Sequence, residues 1–125
     1  MQSEKNDQIP MSQISFPFFF KIEDASKVEI IDTDMTETDQ DRSLRIILRS
    51  ILETTFSSES QYDLETKAFM AAARNIKINL DNVFRKSTPW QVVVGREYGT
   101  FVTHENRFFL FLKMSEMWVT VFLSN

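Results

Sequence analysis

The sequence predicts an α+β domain in which two helices pack on an antiparallel β-sheet, in the order β-α-α-β-β-β-β. Three observations carry that expectation. Apolar residues recur at helical spacing in two stretches, Leu44 to Leu52 and Phe69 to Phe84. They fall into strand-like runs from Trp90 onward, and one short β-branched run, "KVEIID", precedes both helices. Helices set apart from a run of strands indicate this class rather than a parallel α/β sheet.

Residues 1–25 are polar apart from the cluster at Phe16 to Phe20, carry Pro10 and Pro17, and follow neither period. They read as a flexible N-terminal extension, and 26–125 as the domain. Lys27 to Asp32 is the first strand. Thr36 offers a helix N-cap, with Glu37 and Asp39 in the first turn where carboxylates suit the helix dipole. Leu44, Ile47, Leu48, Ile51 and Leu52 then form the stripe of an amphipathic helix reaching about Thr55. "SSESQYD" is a polar break whose Asp63 can cap a second helix. Phe69, Ala72, Ala73, Ile76, Leu80, Val83 and Phe84 share one face of that helix, and Lys67, Arg74 and Lys77 reach solvent. It ends before Pro89. Four strands follow: Trp90 to Val94, Thr100 to Thr103, Arg107 to Lys113 and Met117 to Leu123.

Composition narrows the function. A chain of 125 residues, 42% hydrophobic, is enough for one domain with a real core. A net charge of −4 offers no attractive field to a nucleic-acid backbone or an anionic membrane, so neither is an expected partner. The absence of cysteine removes disulfides, thiolate metal sites and cysteine nucleophiles, and agrees with the reducing cytosol. The N-terminal apolar run is far short of the ~18 residues of a membrane span, and neither a signal peptide nor a transmembrane helix is expected.

Catalytic signals are weak. His104 and Glu105 are neighbours on a strand, so they point to opposite faces, and no second histidine exists to complete a zinc site. "DTDMTETDQD" alternates acids like a calcium loop, but Glu37 stands where the sharp-turn glycine belongs and Ser43 where a bidentate glutamate belongs. There is no Gly-x-Ser-x-Gly elbow. The chain is expected not to be an enzyme and to need no cofactor. "REYGTFVT" partly matches the RNA-recognition pattern, yet Glu97, Thr100 and Thr103 replace its glycine and two of its aromatics.

Taken whole, Trp90 to Asn125 resembles the eight-kilodalton dynein light-chain family. Val94-Gly95-Arg96-Glu97-Tyr98-Gly99-Thr100-Phe101-Val102-Thr103-His104-Glu105 matches the family's Val-Gly-Arg-x-Phe-Gly-Ser-Tyr-Val-Thr-His-Glu, and Phe108-Phe109-Leu110-Phe111 matches its Phe-rich strand. With "IKINLDNVF" and "DTDM" upstream, the resemblance covers about residues 27–125.

That resemblance implies a strand-exchanged homodimer without catalysis. The strand at Thr100 to Thr103 would join the partner's sheet, and a disordered segment of another protein, often with a Gln-Thr core, would add beside it as a further strand. Dynein intermediate chain or other proteins with short linear motifs would be the partners, in the cytoplasm, on the microtubule cytoskeleton or in an axoneme. The groove would be formed by Tyr98, Gly99, Thr100, Phe101, Val102, Thr103, His104, Phe109, Phe111, Lys113, Trp118 and Thr120, with Phe69 and Met70 where the family often has a Glu-Lys pair. Trp118 would narrow the pocket. The dimer interface would use Trp90, Gln91, Val92, Tyr98, Thr100 and Phe101, with Gln91 at a position commonly histidine in the family. The alternative is a structural dimer of an axonemal or cytoskeletal assembly with a closed or altered groove. "MSQIS", Met11 to Ser15, loosely resembles the ligand motif, so the extension is also a candidate to lie in its own groove; the plainer expectation is a tail with an apolar patch.

Overall fold

The computed structural model describes residues 14–16, 28–57, 63–86, 88–96 and 104–124. The elements are β1 (Ile14–Ser15), β2 (Val28–Thr33), α1 (Glu37–Leu52), β3 (Thr55–Phe56), α2 (Leu64–Val83), β4 (Trp90–Gly95), β5 (His104–Met114) and β6 (Met117–Ser124). Two helices against an antiparallel sheet is the class the sequence predicts. The expected strand at Thr100 to Thr103 lies outside the described residues.

The cap of α1 is as expected: Thr36 Oγ1 accepts from the Asp39 N–H at 3.2 Å, and Arg49 in the last turn complements the dipole. The helix stops at Leu52, short of Thr55, because Thr55–Phe56 pair with Ile14–Ser15 instead. Its buried stripe is also rotated from the one expected. Ser43, Ile46, Ile47, Ser50 and Ile51 are buried, while Leu52 is 54% exposed. The reason is a polar seam to α2: Asn79 Nδ2 donates to Ser50 Oγ at 2.8 Å, Ser50 Oγ donates to the Ile46 carbonyl at 2.6 Å, and Asn75 Nδ2 donates to Thr54 Oγ1 at 3.0 Å. Small hydroxyl residues let the helices approach closely, and the buried hydroxyls of Ser50 and Thr54 in this seam are hydrogen-bonded.

On α2, Ala68, Phe69, Ala72, Ile76 and Leu80 are buried. Asp63 stands at the N-cap, but its side chain makes no capping hydrogen bond. The large sheet has the order β2-β5-β6-β4, with every pair antiparallel. Period-2 alternation sends Leu110, Leu112, Met114, Met117, Val119, Val121, Leu123 and Trp90 into the buried core with the helices. The far face carries Phe109, Phe111 and Lys113 opposite Phe122, Thr120 and Trp118, with Gln91 and Val93 beyond them on β4. In β2 a bulge between Ile30 and Asp32 pushes Ile31 outward, to 40% exposure.

Three residues of the 1–25 extension are described, and they join the fold. Ile14 and Ser15 pair with Phe56 and Thr55, the Phe16 N–H donates to the Thr54 carbonyl at 3.0 Å, and the Phe16 side chain is fully buried. The apolar cluster that reads as a greasy patch supplies a core residue. Of the "MSQIS" stretch, Ile14 and Ser15 lie against β3 rather than along β4.

Candidate functional site

The site is built on β4. Trp90 opens this strand, its N–H donating to Asp81 Oδ1 at 2.8 Å and its carbonyl accepting from Lys77 Nζ at 2.8 Å. Both backbone groups of Trp90 therefore point away from β6 and toward α2. In an antiparallel strand those directions alternate, so the N–H and C=O of Val92 and Val94 also point to the outer edge, and those of Gln91 and Val93 to β6. Among the described residues, β4 pairs with β6 alone. Alongside that edge, Thr66, Phe69, Met70 and Ala73 of α2 face Val92, Val93 and Val94 across a cleft of about 380 Å³. Phe69 is nearly buried and Met70 is 62% exposed, so the wall is apolar and only Thr66 brings a hydroxyl.

The far face of the sheet is the second apolar surface. Phe111 and Trp118 are tilted at 5.4 Å between centroids, and Lys113 Nζ lies 5.5 Å from the Trp118 ring. Phe109 and Thr120 are buried, whereas Phe111, Trp118 and Phe122 remain partly exposed. The exit of β4 is pinned by Arg96, which donates from Nε and Nη2 to Glu65 in the first turn of α2, with an Nη2 to Oε2 distance of 2.9 Å, and lies 3.6 Å from Glu116 in the β5–β6 turn. The hydrogen bond to Glu65 raises the guanidinium above its ordinary pKa, with the two carboxylate charges acting the same way, so Arg96 stays cationic.

The expected groove residues thus divide. Phe69 and Met70 line the α2 cleft; Phe109, Phe111, Lys113, Trp118 and Thr120 lie on the opposite side of the sheet, so one chain does not bring them together. Trp118 accordingly does not narrow the α2 cleft of its own chain. Tyr98, Gly99, Thr100, Phe101, Val102 and Thr103 lie outside the described residues, and His104 opens β5 opposite Ser124. Among the expected interface residues, Gln91 is on the far face opposite Phe122 and Val92 is on the core face beside the cleft. Trp90 is fully buried within its own chain, its ring 5.5 Å from Phe84 and 6.2 Å from Phe108. Its indole Nε1 has no hydrogen-bond partner among the described residues.

Two parts of the site escape sequence reading. The Lys77–Asp81 clamp on Trp90 carries a readable i, i+4 spacing, 3.1 Å between charges, but nothing local marks Trp90 as its target. Glu65 and Arg96 are 31 residues apart and leave no local signal. A larger hollow of about 480 Å³ lies along α1, where Ile46 and the arginines face Val83 at the end of α2. Its Arg45 pairs with Asp41 at 2.9 Å and its Arg42 lies over the Phe84 ring at 4.7 Å. Among the described residues no group of three or more His, Cys, Asp or Glu could hold a metal ion, and no helix is long and apolar enough to cross a membrane.

The geometry defines a class: a small α+β domain with an apolar-lined strand edge beside a helix. Within that class, the family model for dynein light chain type 1 matches residues 27–124, and the chain belongs to that family. It is 27% identical over 99 residues to the cytoplasmic dynein light chain of Emericella nidulans, covering 79% of this chain and 90% of that one. It is 29% identical over 98 residues to a dynein light chain of Schistosoma mansoni, covering 78% and 94%. The fold is similar to the dynein light chain-like domain of the Fasciola hepatica calcium binding protein FhCaBP2, with a TM-score of 0.57 at 16% identity over 85% of this chain and all of that domain.

Proposed function

We propose that this dynein light chain is a non-catalytic homodimeric hub that holds extended segments of partner proteins as added β-strands and so brings two such chains together. Its setting is a cytoplasmic motor complex on microtubules, with dynein intermediate chain or another protein bearing a short linear motif as partner. One observation carries this reading: the apolar surfaces expected to form one groove lie on opposite sides of a single sheet. They can meet only between two copies, the α2 cleft of one facing the aromatic far face of the other. A partly exposed face of Phe111, Trp118 and Phe122 is what a second copy would cover, and the outward N–H and C=O groups of Val92 and Val94 are what an exchanged strand would pair with. Two grooves related by a two-fold axis raise the effective concentration of whatever follows in the bound chains.

Sedimentation at micromolar concentration, followed by calorimetric titration with a peptide containing Gln-Thr, tests both parts. A dimer that binds the peptide at one segment per protomer is expected; a monomer rejects the reading. A second reading, a structural dimer of an axonemal or cytoskeletal assembly with an altered groove, is favoured by Phe69 and Met70, which give the α2 wall no charged group to meet a glutamine. It predicts the dimer with no heat on titration.

A further inference from the structure

We infer that Phe16, supplied from outside the family-matched region, is a specificity-determining residue of the β4–α2 cleft: standing behind Phe69, it sets the depth of the apolar wall and selects partner segments that place a medium-sized apolar side chain there. This rests on the strand-addition reading above. The family match begins at residue 27, so this contact belongs to the chain's own extension.

Four observations support it. Phe16 is fully buried, and its ring lies 6.3 Å from that of Phe69, tilted by 46°. Phe69, 8% exposed, faces the core on one side and the cleft on the other. The arm is fixed in register by the pairs Ile14–Phe56 and Ser15–Thr55 and by the hydrogen bond from the Phe16 N–H to the Thr54 carbonyl. Thr54 is itself tied to Ser50 and Asn75, so the arm rests on the seam joining α1 to α2 rather than on a loose loop.

A ring packed between the arm and the cleft cannot retreat while Phe16 is present, because close-packed interiors have no spare volume. With Phe16 reduced to alanine, Phe69 gains room to rotate inward, and the cleft deepens where it meets Met70. The side chain that fits best at that position then becomes larger. Phe16 is a positioning residue in this account, since Phe69 rather than Phe16 meets the ligand.

The test uses the full chain and its Phe16→Ala and Phe16→Leu variants, with extended ten-residue peptides around a Gln-Thr core in which each flanking position is varied through Ala, Leu, Phe and Trp. Wild type prefers Leu over Trp at the position facing Phe69. Phe16→Ala reverses that order, a change in the ratio of about tenfold, the scale of a mismatch of a methylene or more in an apolar pocket. Phe16→Leu, which refills the space, restores most of it. In parallel, the Met70 methyl and the amide resonances of 66–70 are compared in the free proteins: they move in Phe16→Ala and return toward wild type in Phe16→Leu. An unchanged order of peptides with unmoved resonances overturns the inference. If no peptide binds even the wild type, strand addition is rejected while the free-protein resonances still decide the role of Phe16. If Phe16→Ala does not fold, Phe16→Leu and Phe16→Val carry the same comparison: a graded shift supports the inference and its absence overturns it.

Discussion

The clamp at the start of β4 allows a separation of charge from hydrogen bonding. Asp81 accepts from the fully buried Trp90 through its backbone N–H at 2.8 Å and pairs with Lys77 at 3.1 Å. The Lys77 and Asp81 side chains are 40% and 34% exposed, so solvent screening holds the ion pair to below ~1 kcal/mol. Losing the acceptor for a backbone N–H at a buried residue costs more, about 1–3 kcal/mol. Asp81→Ala should therefore destabilise the chain by about 2 kcal/mol, whereas Asp81→Asn, which keeps a carbonyl oxygen for the Trp90 N–H, should cost well under ~1 kcal/mol. Urea unfolding followed by tryptophan fluorescence, at fixed protein concentration, reads both values, and an unchanged m-value shows that the unfolding reaction is the same. Equal losses in the two variants would mean that the charge, not the hydrogen bond, holds Trp90. No loss in Asp81→Ala would mean that water replaces the carboxylate and that the clamp has no structural role.

Other predictions follow from the same geometry. Phe16→Ala should cost about as much as deleting residues 1–16, roughly 1–3 kcal/mol rather than the ~3–5 of an interior phenylalanine, because undocking of a two-residue ladder limits the penalty; a point variant clearly worse than the deletion, by urea unfolding, would contradict this. Phe111→Asp, on the partly exposed far face, should give a folded monomer by sedimentation and circular dichroism. Val94→Pro removes an N–H that points to the outer edge and should keep the fold while abolishing dimer assembly, whereas Val93→Pro, whose N–H faces β6, should unfold the domain; equal tolerance would refute the assigned parity. Gln91 cannot titrate between pH 7 and pH 5, so the far face should contribute no acid-driven dissociation through this position. Gln91→His should introduce one near the unperturbed ~6.5, since burial between copies disfavours the imidazolium and the dimer is then lost as pH falls; sedimentation across that range checks it.

What was legible in the sequence was local. The Thr36 cap, the two helical periods and the alternation in β5 and β6 each arise within one element, and the chain reports them directly. What was illegible depends on partners far away in sequence. Ser50 reads as a helix-surface residue until Asn79, 29 residues on, supplies its hydrogen bond, and the leucine stripe then loses Leu52 to solvent. Phe16 sits in a proline-flanked segment and shows no period, because a single buried side chain following a two-residue strand cannot have one. The family resemblance implies an interface role for Trp90, but its burial is set by the rings of Phe84 and Phe108, which belong to a helix end and to another strand and leave no local signal.

The two edges of the large sheet differ in how they are defended, and the difference bears on which one is used. The β2 edge carries a bulge at Ile31, and Glu29 and Asp32 along a six-residue strand, devices that keep an edge from recruiting another chain. Among the described residues, the β4 edge has none of these. There Lys77 and Asp81 close its first residue, and from Val92 to Val94 it is apolar and paired in unbroken register with β6. An edge left in that state is an aggregation hazard unless something covers it. Arg96 supplies the direction, since its two-pronged bond to Glu65 and its contact with Glu116 fix where the chain leaves β4. Among the described residues, the β4 edge is regular, lies beside an apolar helix wall and has a pinned exit, and under the proposed strand addition the acidic, bulged β2 edge would leave β4 as the side that receives the added strand.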